Sequence, residues 1–378
     1  MKTDLAPKYI KSIGNETSIL WFQHSNRYVV VSESLLTLIH LFFSAEDSLS
    51  YIKTLQDSLH LDVTESKAIY DDISSFIKEA NQFSTPDEDL NLRLDIPLPS
   101  YTKTYIFGDK TITINFESDI LKDLIHPQIA HHAVANQNEG DTVFDIFKTD
   151  DDLHLYKDKN LVGSYKTSMF HLLQGRFALE LTNEIHHKSI DNWIATFHAS
   201  TITNGNEAIM IIGDSGNGKS TLSAILMANA FDLLADDFTP LHQDTNLYRY
   251  PAAVSIKKGA FETLSPIIKH FDSFEVITNG PKKVNLKYVP PISDFNQSKP
   301  FVKCNKVVFV KYDSESPSSL QETSLDNILN TLIPESWVSP EETHALQFIN
   351  WLKTLQCYEL NYSDNDFAIS KFKALFNE

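Results

Sequence analysis

Apolar positions in the first eighty residues follow two different periods. SILWF and RYVVVS are short runs rich in β-branched and aromatic residues, and they predict two strands joined as a hairpin. From ESLLTLIHLFF onward the spacing becomes helical. Leu35, Leu38, Ile39 and Phe42 recur every three or four residues, followed by Tyr51, Leu55 and Leu59, and then by Ile69, Ile73, Phe76 and Ile77. Ser44 and Asp47, at S-x-x-D spacing, are the expected start signal of the second helix. Residues 1–85 therefore read as a small domain of one hairpin and three helices. In NQFSTPDEDLNLRLDIPLPS both periods are lost and three prolines appear, so 86–100 is read as a linker.

Past the linker, KTYIFGDKTITINF and DLHLYKDKNLVGSY alternate like a meander of strands, with a helix predicted around 117–138. From about residue 190 the order becomes strand, helix, strand, helix: EAIMIIG, STLSAILMANAF and FDLLADD, then VVFVKY and CYELNY, each followed by a helical run. Ser339 with Glu342, and Ser363 with Asp366, are expected to start the last two helices. Such alternation predicts an α/β layer. Residues 101–378 are accordingly expected to form one domain, an α/β core with β-rich flanking segments.

A chain of 378 residues exceeds what one core usually organises, which agrees with this division. Its 42% hydrophobic and 22% charged residues exclude disorder for most of the length. The 32 Lys and Arg face 50 Asp and Glu, a formal charge of −18, and an acidic surface repels phosphate backbones and anionic headgroups. No nucleic-acid or membrane partner is expected. Cys304 and Cys357 lie in apolar, strand-like runs and read as buried free thiols. The N-terminal segment has no signal-like apolar stretch, and no run approaches the 18 or so apolar residues of a membrane span, so the expected location is cytoplasmic.

The chemistry concentrates in GDSGNGKST, Gly213 to Thr221, which satisfies G-x-x-x-x-G-K-[ST] between an apolar strand and a helix. In this pattern Gly213, Asp214, Ser215, Gly216, Asn217, Gly218, Lys219, Ser220 and Thr221 wrap a polyphosphate. The glycines bring backbone N–H groups close, the helix directs its positive end at the anion, Lys219 reaches the outer phosphates, and Ser220 offers a hydroxyl to Mg2+. Asp236 and Asp237 follow at the end of the apolar run FDLLA, where α/β sheets bind ligands. Strand alternation points these two side chains apart, so one at most faces the phosphates while the strand continues. His198 follows IATF in the run IATFHAS and reaches the same edge if TITNGNE is a hairpin turn; otherwise it is a packed core histidine.

HAS, IMIIGDSGNGKSTL and LLADD together resemble the catalytic core of the HPr kinase/phosphorylase family over residues 198–237, and more loosely through YPAAVSIKKGAF and YELNYSD. This resemblance implies an α/β P-loop kinase core of the HPr kinase type, related to ATP-dependent phosphoenolpyruvate carboxykinase, which phosphorylates a protein seryl hydroxyl with ATP and Mg2+. It implies that Lys219 and Ser220 contact phosphate and metal, that Asp236 takes the seryl proton with His198 as its partner, and that Asp237 supports the metal. The sequence departs from the family at Ser255, Ile256, Lys257 and Lys258, where an E-I-R-G type segment is expected. An acidic metal contact is missing there, and Glu262 is one carboxylate available to replace it. Lys257 is either a γ-phosphate contact or, with Lys258, a solvated pair. Reverse phosphorolysis and recognition of HPr itself are not expected.

The hairpin and three helices of 1–85 resemble PqqD-like peptide-recognition domains, which are winged-helix-like and capture a leader peptide as an added strand. A winged-helix scaffold, or a domain that only packs on the kinase, stands beside this reading. DNA readout fits poorly, because residues 1–90 hold 7 Lys and Arg against 14 Asp and Glu. His131 with His132, and His186 with His187, invite a metal reading that lacks a third ligand at suitable spacing. The expectation is thus an ATP-dependent serine kinase acting on a peptide or small protein, in a pathway of ribosomal-peptide modification. Its alternative is a nucleotide-regulated binding protein that assembles peptide-modifying enzymes without phosphoryl transfer. Decarboxylase chemistry ranks last for want of the expected arginines and ligand histidines. A homo-oligomer is compatible with the resemblance.

Overall fold

The computed structural model describes residues 3–14, 16–83, 94–135, 140–279 and 283–377, and it is a mixed α/β structure with several sheets. Two compact units divide the chain: Met1–Pro86 with Ser324–Leu355, and Asp87–Thr323 with Gln356–Glu378. Residues 324–355 thus group with the N-terminal segment, where the sequence led us to expect 101–378 in one piece. Of the expected linker 86–100, residues 86–93 lie outside the described residues, and 94–99 carry no regular secondary structure.

In the N-terminal unit, strands Tyr9–Ser12, Thr17–Phe22 and Arg27–Ser32 form an antiparallel sheet in that order, one strand more than the expected hairpin. Helices Glu33–Ser44, Ser48–Leu59 and Val63–Ala80 follow as the spacing predicted. Asp47 caps the second helix through a reciprocal bond with Ser50, whereas Ser44 ends the first helix. Period two explains the burial of the central strand. Leu20 and Phe22 join Leu36, Ile39, Phe42, Leu55 and Ile73 in one core, while Trp21 faces the other way, stacks on Tyr9 at 5.6 Å and meets Tyr28 at 6.3 Å. Helix Glu342–Leu352 covers that second face. Phe348 packs edge-on against Tyr28 at 5.2 Å, and Glu342 accepts a hydrogen bond from the Tyr9 hydroxyl at 3.0 Å and pairs with Lys8 at 3.3 Å.

The second unit holds two large sheets. A six-stranded one runs Ala133–Val134, Tyr101–Phe107, Lys110–Phe116, Thr142–Thr149, Asp152–Lys157, Asn160–Lys166. Lys110–Phe116 and Thr142–Thr149 pair in parallel because a helix crosses between them. That helix is Asp119–Ile129, shorter than the expected 117–138, of which 136–139 lie outside the described residues. A second helix, Phe170–His186, has no counterpart in the sequence reading. Both helices bury apolar side chains on this sheet, among them Leu121, Leu124, Leu173 and Phe177.

The other sheet runs Asp232–Ala235, Ser200–Thr203, Glu207–Ile212, Phe301–Tyr312, Asn246–Tyr248, Thr239–His242, Trp193–Phe197, and Gln356–Tyr362 also pairs with Phe301–Tyr312. It is mixed in direction, not the uniform layer that strand–helix alternation suggests. Helix Lys219–Ala228 packs Leu222, Ile225 and Leu226 against Ile209, Ile211 and Val308. Both cysteines are buried in these strands, and burial pushes the Cys304 thiol up to about 12. The last helix, Asn365–Leu375, is capped by Asp364, not by Ser363; at Glu342–Leu352 the cap position is Glu341, and Ser339 bonds its N–H instead. Among the described residues no helix is long and apolar enough to cross a membrane.

Candidate functional site

Strand direction brings the separate motifs to one sheet edge. Ser200–Thr203 is antiparallel both to Glu207–Ile212 and to Asp232–Ala235, with Ser200 opposite Ile211 and Thr201 opposite Ala235. Two reversals make the outer strands parallel to each other, so Gly213 and Asp236 leave the sheet at the edge where Ser200 enters it. Phe301–Tyr312 and Gln356–Tyr362 are parallel to Glu207–Ile212 and also end there. The turn at 204–206 that places His198 at this edge is present as expected.

A cleft of about 440 Å3 lies over that edge, lined by His198, most of the glycine-rich loop, Asp237, Ser255, Lys257, Tyr312 and Tyr362. Gly213 has no alternative at its position, since a Cβ there would sit 2.6 Å from the Val310 carbonyl oxygen. Gly216 and Gly218 take left-handed φ values of 98° and 88°, which favour glycine. Leu222 is the first residue of the helix to bond backwards, onto the Gly218 carbonyl at 2.8 Å. The N–H groups of Lys219, Ser220 and Thr221 therefore have no acceptor within the helix, and the helix dipole adds positive potential at the same place. Lys219 is buried at the cleft, its ammonium donating to the Gly213 carbonyl. Lys257 stands across the loop, 3.4 Å from the Ser215 hydroxyl, while Lys258 is exposed outside the cleft lining.

The two aspartates have opposite surroundings, and because the strand ends at Ala235 both lie just beyond it. Asp236 is 2% exposed. One carboxylate oxygen accepts from the Ser200 hydroxyl and the other from the Ser255 N–H at 3.3 Å. Burial first, and the Asp237 carboxylate second, push the Asp236 carboxyl up to about 8, against the Ser200, Ser255 and Lys219 contacts that favour its charge. Asp237, in a left-handed conformation at φ 59°, is half-exposed in the cleft and accepts from the Ser255 hydroxyl at 3.2 Å. His198 Nε2 stands 3.8 Å from Asp237, so the histidine associates with Asp237 where Asp236 was the expected partner. Glu262 is exposed and absent from the cleft lining, and Asp214 and Asp237 are the carboxylates there.

These residues suit Mg2+ held jointly with a nucleotide. Mg2+ is ordinarily bound by one or two carboxylates, phosphate oxygens and water. Ser220 and Asp237 supply that kind of donor, and no group of three or more metal-ligating side chains is found among the described residues. The histidine pairs have other partners. The rings of His131 and His132 meet at 4.1 Å, tilted by 45°, and burial lowers them to about 3 and about 4. His186 Nε2 is 2.7 Å from the Arg249 carbonyl, and His187 lies 3.5 Å from Asp109.

Several contacts of the site have no sequence signal of their own. Ser200 and Ser255 each bind Asp236, and Ser255 joins it to Asp237; only their registry with the strand end reveals this. Tyr312, Tyr362 and Asn365 reach the cleft from the ends of distant elements.

No protein-family model matches the chain, and no curated protein does. Among solved structures, the Hpr(Ser) kinase/phosphatase from Coxiella burnetii is similar at 12% identity with a TM-score of 0.20, over 48% of this chain and 94% of that one.

Proposed function

We propose that the protein is an ATP- and Mg2+-dependent kinase that phosphorylates a seryl hydroxyl of a peptide or small protein. One observation carries this reading: the glycine-rich loop, its lysine and an aspartate pair converge on a single sheet edge, with the buried Asp236 beside the cleft that the loop lines. Phosphoryl transfer asks for positioning and charge neutralisation more than for covalent help. Lys219, Lys257 and the helix end hold the triphosphate, Ser220 and Asp237 hold Mg2+, which neutralises charge on the phosphates, and Asp236 takes the hydroxyl proton. His198 orients Asp237. In the N-terminal unit the outer strands Tyr9–Ser12 and Arg27–Ser32 are each paired on one side within their sheet, which suits capture of a leader peptide by strand addition, as in a winged-helix-like PqqD-type domain.

The test is incubation of the protein with Mg2+, γ-labelled ATP and short peptides encoded beside its gene, read by mass spectrometry. Label on a peptide serine, lost in Lys219→Ala and Asp236→Ala, supports the reading; label that persists in Asp236→Ala removes Asp236 from the role of base. The engagement of Asp236 by Ser200 and Ser255 favours a second reading, in which the nucleotide is held to control assembly with peptide-modifying enzymes and nothing is phosphorylated. Nucleotide-dependent partner binding without transfer is its expected result.

A further inference from the structure

A second cavity, of about 300 Å3, adjoins the nucleotide cleft and shares His198, Asp237 and Ser255 with it. Asp236 lines only this second cavity. Its far wall comes from the helices Asp119–Ile129 and Phe170–His186, through Gln128, His171, Gln174 and Gly175. We infer that this is the acceptor cavity, and that it takes a hydroxyl carried by an uncharged or amine-bearing group, not by an anion. The inference rests on the kinase reading and adds to it the acceptor's place and charge.

Two independent observations support it. The first is the charge of the lining, which includes Asp236 and Asp237 beside His171 and His198 but no lysine or arginine. Gln174 and Gln128 both donate their amide nitrogens to the Leu124 carbonyl, at 2.7 and 3.3 Å, which leaves their carbonyl oxygens as acceptors. An ammonium or a neutral N–H finds partners here; a carboxylate or phosphate finds repulsion. The second is Gly175. It lies inside a helix, where glycine is unfavourable, yet its φ is not positive and a Cβ would meet nothing within 4 Å. Neither backbone conformation nor crowding calls for glycine there, and the effect of its missing side chain is to keep the cavity open.

In the transfer, the acceptor O–H gives its proton to Asp236 and its oxygen bonds to the γ-phosphorus of ATP. The bond from that phosphorus to the β–γ bridging oxygen breaks, leaving a phosphomonoester and ADP, and the proton passes to solvent. Serinamide, glycerol and glycerate, which carry hydroxyls on cationic, neutral and anionic frames, serve as probes of this cavity alongside Ser peptides with Lys or Glu flanks. Binding is followed by ligand-observed NMR on the full chain, with transfer from ATP measured separately. Serinamide binding to the wild type, weakened at least tenfold in Gly175→Leu while ATP affinity and melting temperature hold, is the expected result. Among peptides, Lys-flanked serines outperform Glu-flanked ones if the hydroxyl arrives on a peptide; transfer to free serinamide alone identifies a small amino alcohol. Binding of glycerate in preference to serinamide, no binding of serinamide, or unchanged binding in Gly175→Leu overturns the inference. If the wild type binds serinamide through Gly175 but transfers no phosphate, the cavity stands and the kinase reading falls. If transfer occurs and Gly175→Leu leaves the acceptor KM unchanged, the reverse holds.

Discussion

Asp236 is held where its charge is costly, and that placement fixes two opposite consequences for one substitution. In the unfolded chain its carboxyl ionises near the ordinary aspartate value, whereas in the folded protein ionisation is delayed to about 8. Between those values the folded state holds the proton that the unfolded state has lost, so stability falls as pH rises across the window and levels off above it. Asp236→Asn keeps the shape and never ionises. Its melting temperature should match the wild type near pH 4 and exceed it at pH 8, by differential scanning calorimetry at both pH values. The same variant should lose roughly 10²- to 10⁴-fold in transfer rate, the usual share of a general base, and the wild-type kcat/KM should climb as pH rises toward 8. At Lys219 the effect falls on binding. Removing a charge-assisted contact to phosphate typically costs about 1.5–3 kcal/mol, so Lys219→Ala should weaken ATP on the order of 10- to 100-fold by titration calorimetry.

Elements show which of these properties local sequence can carry. The loop 213–221 was legible because strand, glycines and helix are contiguous, and the structure keeps them in that order around Gly213, whose Cβ would strike the Val310 carbonyl. The engagement of Asp236 by the Ser200 hydroxyl and the Ser255 N–H was not legible, because the first depends on register between strands more than thirty residues apart and the second on a segment nineteen positions further along the chain. Helix Phe170–His186 escaped notice for a related reason: it buries Glu180, Thr182 and Asn183 along with its apolar residues, and that blurs the apolar stripe. Two glycines then make a paired prediction. Gly213→Ala should destabilise by roughly 1–3 kcal/mol through backbone displacement at the loop, while Gly175→Ala should stabilise by about 0.5–1 kcal/mol by removing a helix-interior glycine. Urea denaturation of both variants checks the contrast, and equal signs would mean that one site is misread.

Across the whole molecule, the return of 324–355 to the N-terminal unit is the feature least accessible to sequence reasoning. SILWF contains a partial clue, since a continuous apolar run belongs to a strand buried on both faces. The three helices that follow can cover only one face, the one bearing Leu20 and Phe22. Something else must cover Trp21 and Tyr28, but nothing near them in sequence identifies Phe348, more than three hundred positions away. Truncating a fully buried aromatic usually costs about 3–5 kcal/mol, and Phe348 is 0% exposed. Phe348→Ala should therefore cost that amount and, if the sheet and the returning helix share one core, should strip amide-exchange protection from Thr17–Phe22 and Arg27–Ser32 together with Glu342–Leu352. Hydrogen exchange with mass spectrometry resolves these segments. Loss of protection confined to 342–352 would mean that the sheet is stable without its cover, and that residues 3–83 hold their fold without the returning helix.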